Sequence, residues 1–499
     1  MTEITRREAL ARLLAGAALF AAGCGSEGSP QPAPTGSTLA STWRDRGGTG
    51  SLSAAPGEVL LARTELGPQT AATETLATLA HVTDAHVLDA SSPARVTFLD
   101  RLGAPFESTF RPQEALTAQV LAGAVRSIRA LRPHAVIQGG DLIDNDQANE
   151  LTRALAVLEG GTVHPGSGRH GYFGVQSAVN PDPFYYRPDL DAPQHPGLLR
   201  RSAAPFRSPG LRAPWFPVLG DHDILVAGEI APTPTTRALA IGGEALWELP
   251  PGLTLPPGAK LTGNGSPDGP PSSSLVNEFL AEALAGPKVN VPVDPARRQL
   301  DATDVVGRLR TASTTRTATP DRLDYTVEIG PRLTLIVLDL ARRGGGSGGL
   351  VAPDQPAWLA AQLDAARDRW VIVATHQPIA GSVGGEQILS VLDQHRQVIA
   401  TLAGHTHRNR IDPRTTPAGG YWTIQTASLI DYPQQSRGLR VLATNNGGVA
   451  IETWMLDHTF GGDLGTISRQ LAYLDAQGGR PGGFAGRHLD RNATLYRER

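Results

Sequence analysis

Five apolar, β-rich runs lie far apart in this chain, and each stops at a glycine or polar turn that carries acids, imidazoles or both. The runs are residues 79–82, 135–137, 216–219, 371–374 and 398–402. The turns are Asp84-Ala85-His86, Gly140-Asp141-Leu142-Ile143-Asp144-Asn145, Gly220-Asp221-His222-Asp223, Thr375-His376 and Gly404-His405-Thr406-His407. Strands that end this way bring their side chains to one edge of a sheet. Mixed Asp and His ligation without thiolate suits Mn, Fe or Zn better than Ca or Cu(I). A carboxylate shared by two ions, with imidazole and oxygen ligands on each side, is the inventory of a two-metal hydrolytic site. There, ions about 3.5–4 Å apart clamp a phosphoryl group and activate water. Each turn alone would read as ordinary loop chemistry; all five in succession, each after an apolar strand, specify a site.

Between these segments the pattern is strand, helix, strand. Residues 112–131 carry Leu116, Val120, Leu121, Val125 and Ile128 at helical spacing and stop at Pro133. A second helix is predicted at 146–158 and a third at 355–367, with strands at 324–329 and 333–340, so the sheet is partly parallel. Strands at 421–427, 439–444 and 449–456 read as antiparallel. The 56 Gly and 40 Pro of the 499 residues gather between the motifs, which predicts one domain with long loop insertions. The expected boundaries are a catalytic domain at 75–456, insertions at about 160–213 and 225–322, and a peripheral tail at 457–499.

The amino terminus reads as an export signal at 1–23. Thr5-Arg6-Arg7-Glu8 and Arg12 precede an apolar run at 13–22, too short for a spanning helix, and Ala21-Ala22-Gly23-Cys24 follows. The Arg pair points to the twin-arginine (Tat) route. The segment also resembles a bacterial lipoprotein signal, with Cys24 as the lipidated residue, although Ala21 stands where Leu is usual. A cell-envelope lipoprotein and a secreted protein are both open. Residues 24–74, rich in Ser, Thr, Gly and Pro, are expected to be a flexible tether. Cys24 is the only cysteine, so no disulfide stabilises the chain. A net charge of -3 leaves no electrostatic footprint for nucleic acid. A monomer is expected.

The ordered set resembles the calcineurin-like metallophosphoesterase superfamily, whose blocks run D-x-H, G-D-x-x-D, G-N-H-[DE], H and G-H-x-H. Gly174-Val175-Gln176, Pro196-Gly197-Leu198-Leu199, Pro214-Trp215 and the segment from Ala427-Ser428 through Asp431 to Gln435 are similar to an exported bacterial subfamily of it. The resemblance implies an α/β (α+β) fold, a four-layer β-sandwich flanked by helices. It implies that Asp84, His86 and His407 bind one divalent or trivalent ion, that Asp141 bridges, and that Asp221, His376 and His405 bind a second. His222 would stand above the phosphate as proton donor, Asp144 would orient it and Asn145 would contact phosphate. Asp144 and Asn145 could equally cap the helix that follows. The implied activity is hydrolysis of phosphomonoesters or phosphodiesters outside the cytoplasmic membrane, by attack of a metal-bound hydroxide.

Asp221 departs from the family pattern, which has Asn there. An amide donates as well as ligates, whereas a carboxylate only accepts and adds negative charge. That predicts tighter metal binding and weaker attraction for a phosphate dianion, so the alternative is a catalytically impaired metal- or phosphate-binding protein. Gln377, after His376, is a second and milder departure. Among other conspicuous residues, His81, His134, His164, His170, His195, His395, His458 and His488 read mostly as surface or loop positions. Tyr172, Phe184, Tyr185 and Tyr186 could stack on a base or pack within a loop. Asp431 to Gln435 could line the rim of the site.

Overall fold

Along the central strands, successive side chains enter different hydrophobic layers. In the computed structural model, which describes residues 33–102, 109–253, 282–283, 285–317, 319–478 and 484–499, Leu335 and Val337 join Leu79, Leu439 and Ile451 between two sheets. Their neighbour Ile336 faces helices on the other side. The strand Trp370–Ala374 repeats the rule, with Ile372 and Ala374 inward and Val371 and Val373 outward. A two-residue period with both faces apolar is what a parallel strand buried on both sides requires.

In chain order the strands are β1 (Ser41–Arg44), β2 (Ser53–Pro56), β3 (Leu61–Leu66), β4 (Ala72–Val82), β5 (Ala135–Gln138), β6 (Gly161–Val163), β7 (Phe206–Ser208), β8 (Trp215–Pro217), β9 (Glu244–Leu246), β10 (Lys288–Asn290), β11 (Tyr325–Glu328), β12 (Leu333–Val337), β13 (Trp370–Ala374), β14 (Val398–Ala403), β15 (Arg410–Arg414), β16 (Tyr421–Gln425), β17 (Gln435–Thr444), β18 (Val449–Asp457) and β19 (Ala493–Arg497). A seven-stranded sheet runs β3-β19-β18-β17-β4-β5-β8, and a six-stranded sheet runs β11-β12-β13-β14-β16-β15. Within the first, β4, β5 and β8 are mutually parallel; within the second, β12, β13, β14 and β16 are. Helix Thr117–Leu131 crosses from β4 to β5 and ends on Arg132 in the left-handed conformation, before Pro133 forbids another turn. It packs with helix Ala148–Glu159 against the seven-stranded sheet, while Gln355–Ala365 and Gly385–Leu392 cover the six-stranded one. Helices, sheet, sheet, helices make the expected four-layer sandwich.

Three expectations are corrected. The expected tether is folded from Pro34 onward: β1 and β2 form a ribbon, β3 belongs to the large sheet, and Thr38 Oγ1 donates to the Met455 carbonyl at 2.9 Å. The carboxyl-terminal segment is not peripheral, because β19 inserts between β3 and β18 and helix Asp463–Gly478 packs on Thr117–Leu131. The folded unit therefore extends from Pro34 to Arg499. Both segments misled because β3, Leu-Ala-Arg-Thr-Glu-Leu, is a polar edge strand with few buried positions, and β19 is short and its apolar side chains few. Finally, β16 is parallel to β14 and antiparallel only to β15. The insertions carry short pairs, β6 with β7 and β9 with β10, and helices Leu198–Ser202, Pro234–Ile241 and Ala302–Ser313. The expected export signal and Cys24 lie outside the described residues. Among the described residues no helix is long and apolar enough to cross a membrane.

Leu495, in the middle of β19, is fully buried in the main core. Leu495→Ala should lower unfolding free energy by about 2–5 kcal/mol, read by urea denaturation, whereas a substitution in a peripheral tail would leave the midpoint unchanged.

Candidate metal centre

All five turns follow the carboxyl ends of parallel strands. Asp84 and His86 follow β4, Asp141 follows β5, Asp221 and His222 follow β8, His376 follows β13, and His405 and His407 follow β14. This edge is where an open α/β sheet presents side chains to a ligand. The chain must turn sharply to keep them there, and the backbone records it. Asp84, His86, Asp141, His405 and His407 have φ of 53°, 43°, 48°, 65° and 54°, half of the ten non-glycine residues with positive φ among those described. Such conformations cost of order 1–3 kcal/mol each and persist where the surroundings over-determine them. Glycine precedes the ligands for want of space: a Cβ on Gly140 would strike the His376 ring, and one on Gly404 would strike Thr83 and Asp84.

The side chains converge in two adjoining groups. Asp141, Asp221, His376 and His405 offer one ligand atom each within 4.8 Å of one another, and so do Asp84, His86 and His407. In the first group His376 Nε2 lies 3.2 Å from both Asp141 Oδ2 and Asp221 Oδ1, and His405 Nδ1 lies 3.3 Å from Asp221 Oδ1. In the second, His407 Nε2 lies 3.2 Å from Asp84 Oδ1 and 3.3 Å from His86 Nε2. Asp141 Oδ2 is also 3.6 Å from His86 Nε2, so one carboxylate oxygen faces both groups. His376 Nε2 is buried without a hydrogen bond, aimed between two carboxylates, as a nitrogen that expects a cation would be. The donor set fits two metal ions.

Three of the imidazoles are turned by what their other nitrogen donates to. His376 Nδ1 donates to the Gly139 carbonyl at 2.8 Å, His86 Nδ1 to Asp144 Oδ1 at 3.1 Å and His407 Nδ1 to Asp431 Oδ2 at 2.6 Å, so all three direct Nε2 inward. The carboxylates are held in turn. The His405 amide donates to Asp84 Oδ1 at 3.0 Å, the His222 amide to Asp141 Oδ1 at 2.9 Å, and Thr83 Oγ1 to Asp84 Oδ2 at 2.5 Å. Asp223 accepts from the Leu142, Ile143 and Gly220 amides, tying the second turn to the third.

Asp144 lies against His222: its carbonyl accepts from Nδ1 at 2.8 Å, and its carboxylate, bound to His86, is 3.7 Å from the same nitrogen. One sequence expectation changes here. Neither Asp144 nor Asn145 caps helix Ala148–Glu159, whose N-cap is Gln147. Asn145 is wholly buried; its Oδ1 accepts from the Ala227 amide and its Nδ2 donates to Asp144 Oδ2. His222, His405 and His407 are the ring residues that reach the surface, their side chains about a tenth exposed, above carboxylates that are sealed.

Sequence reasoning missed the residues behind the ligands. Arg111 donates from Nε to Asp431 Oδ1 at 2.6 Å and from Nη2 to Oδ2 at 3.2 Å, so Asp431 is a buried link between Arg111 and His407 rather than a rim residue. Arg95 pairs with Glu114 at 2.5 Å and sits 3.5 Å from Asp144. Only the Arg111–Asp431 side had a sequence signal, in the block around Asp431. His81 and His458 are buried, not surface histidines, and burial holds His81 down at about 3. Tyr185 packs with Phe110, Val175 and Trp247, which settles that ring as loop packing.

No protein-family model matches the chain, and no curated protein matches it. A solved dimetal phosphatase from Danio rerio is similar to it at a TM-score of 0.42 and 14% identity, over 78% of this chain and 100% of that one. A likeness that distant carries no argument about the reaction.

Burial disfavours the charged forms of Asp84 and Asp221, but the imidazoles facing them outweigh it and hold both below the ordinary carboxylate range. For His407 burial again opposes charge, and Asp84 and Asp431 outweigh it, raising the ring from 6.5 to about 9. A folded value above the unfolded one means that this contribution is complete below about pH 6.5 and is lost as pH climbs through about 9. Metal-free protein should therefore be less stable above about pH 9 than near 6.5, and Asp431→Asn should shrink that difference, as measured by urea denaturation at the two pH values.

Proposed function

We propose that this chain is a metal-dependent phosphoesterase that hydrolyses phosphomonoester or phosphodiester bonds outside the cytoplasmic membrane. The observation that carries the reading is the Asp141 carboxylate oxygen facing two sets of Asp and His ligands. Asp84, His86 and His407 with Asp141 would hold one ion, and Asp221, His376 and His405 with Asp141 the other. Bound there, such a pair polarises a phosphoryl group and supplies a nucleophile at neutral pH. Mn, Fe and Zn all suit the donors.

The chain's own contribution is placement and proton handling. His222 commits Nδ1 to the Asp144 carbonyl, so Nε2 is the nitrogen presented to a leaving group at the mouth of the site. Protonated at both nitrogens, the ring gives its Nε2 proton to the departing oxygen and keeps Nδ1–H on the Asp144 carbonyl, while attack proceeds on the opposite side of phosphorus. Asp144 orients both His222, through its carbonyl, and His86, through its carboxylate; Asn145 acts through Asp144. The excess charge of Asp221 repels a dianion more than a monoanion, which favours diesters. Arg6-Arg7, the apolar run after them and Cys24 support export and lipid anchoring.

Chelator-treated protein should be inactive on chromogenic aryl mono- and diesters and recover with Mn or Zn. His222→Ala should lower kcat by about 10²-fold or more. Asp221→Asn should raise turnover of the monoester relative to the diester. Activity that survives chelation would overturn the reading, and metal uptake without turnover on any ester would favour a binding protein instead.

A further inference from the structure

Asp221 puts a carboxylate where the resembling family has an amide, and the structure supplies an amide to it from another strand. Gln377, just past His376 at the end of β13, is 1% exposed and donates from Nε2 to Asp221 Oδ1 at 3.0 Å. The same nitrogen donates to the Ser347 carbonyl, also at 3.0 Å. Both partners only accept, so nitrogen must face them; the flipped amide would set oxygen against oxygen twice. In this orientation Oε1 is left buried without a hydrogen bond. A buried, unpaired acceptor is normally avoided, and here the two donations at the other end of the amide fix it.

The oxygen that Gln377 holds is the one that matters to the cluster. Asp221 Oδ1 lies 3.2 Å from His376 Nε2 and 3.3 Å from His405 Nδ1. A hydrogen bond to an ionised carboxylate is stronger than a neutral one and draws charge from the oxygen that accepts it. Outer partners of this kind are worth about 10–100-fold in metal affinity.

We propose that Gln377 is a positioning residue for the ion held by Asp141, Asp221, His376 and His405. It fixes Asp221 Oδ1 in the cluster and offsets part of the charge that a carboxylate adds at that position, so that Asp221 and Gln377 act as one carboxylate–amide unit. The proposal rests on the two-ion reading above. Its counterpart on the other ion is the Arg111–Asp431–His407 chain, which orients an imidazole instead of a carboxylate.

The test is calorimetric titration of Mn²⁺ into the metal-free full chain, comparing wild type with Gln377→Leu and Gln377→Met, neither of which can donate to Asp221. Wild type should take up two ions. Gln377→Leu should weaken one of them by about 10-fold or more and leave the other unchanged. Gln377→Met, which keeps the length of the glutamine, should lose a similar factor at the same ion. A merely structural glutamine would disturb both ions or neither. Unchanged binding in both variants, or equal weakening of the two ions, overturns the proposal. Should Gln377→Leu fail to fold, Gln377→Met decides the matter. Failure of wild type to bind two ions would instead overturn the two-ion reading.

Discussion

One carboxylate ties the two halves of this molecule together. Asp141 reaches the ligands of both clusters through Oδ2, while its Oδ1 accepts the His222 amide and so fixes the third turn against the second. The clustered side chains come from both sheets, with Asp84, His86, Asp141 and Asp221 after strands of the seven-stranded sheet and His376, His405 and His407 after strands of the six-stranded one. They can meet only because an apolar core sets the separation of the sheets, about 10 Å in a packed sandwich. Left-handed turns at five ligand positions then bend each side chain into the gap. Core packing and site geometry are the same constraint viewed at two depths.

Electrostatics follow from that crowding. Asp84, Asp141 and Asp221 are buried side by side, an arrangement that needs positive charge nearby. The imidazoles facing them are the nearest source, which is why His376 and His407 are raised and Asp84 and Asp221 lowered despite burial. Cations entering the two clusters would take over that role and displace the protons, so metal binding and protonation compete for the same carboxylates. The outer residues decide how stiff the arrangement is: Asp431 with Arg111 behind one cluster, and Gln377 behind the other.

These Asp and His residues were legible in the sequence because each sits at a break between an apolar strand and a turn, and both patterns are local. The seven converge in two adjoining groups, Asp141 with Asp221, His376 and His405, and Asp84 with His86 and His407. What lay behind them was not legible. Arg111 meets Asp431 across 320 residues, and no periodicity connects a helix-entry arginine to a turn that far along the chain. Asp144 was paired with His222 from the sequence, but which of its oxygens makes the contact was not legible, since sequence cannot tell a side-chain acceptor from a carbonyl. The edges of the domain were misplaced for a different reason: β3 and β19 are short, β3 is also polar, and their place in the sheet is set by partners rather than by their own pattern.

If two cations share Asp141, electron paramagnetic resonance of the Mn-loaded protein should show two Mn per chain with an exchange-coupled spectrum, because ions held on one carboxylate oxygen would lie about 3.5–4 Å apart. A spectrum of isolated Mn, whether from one ion or from two that do not interact, would contradict that sharing.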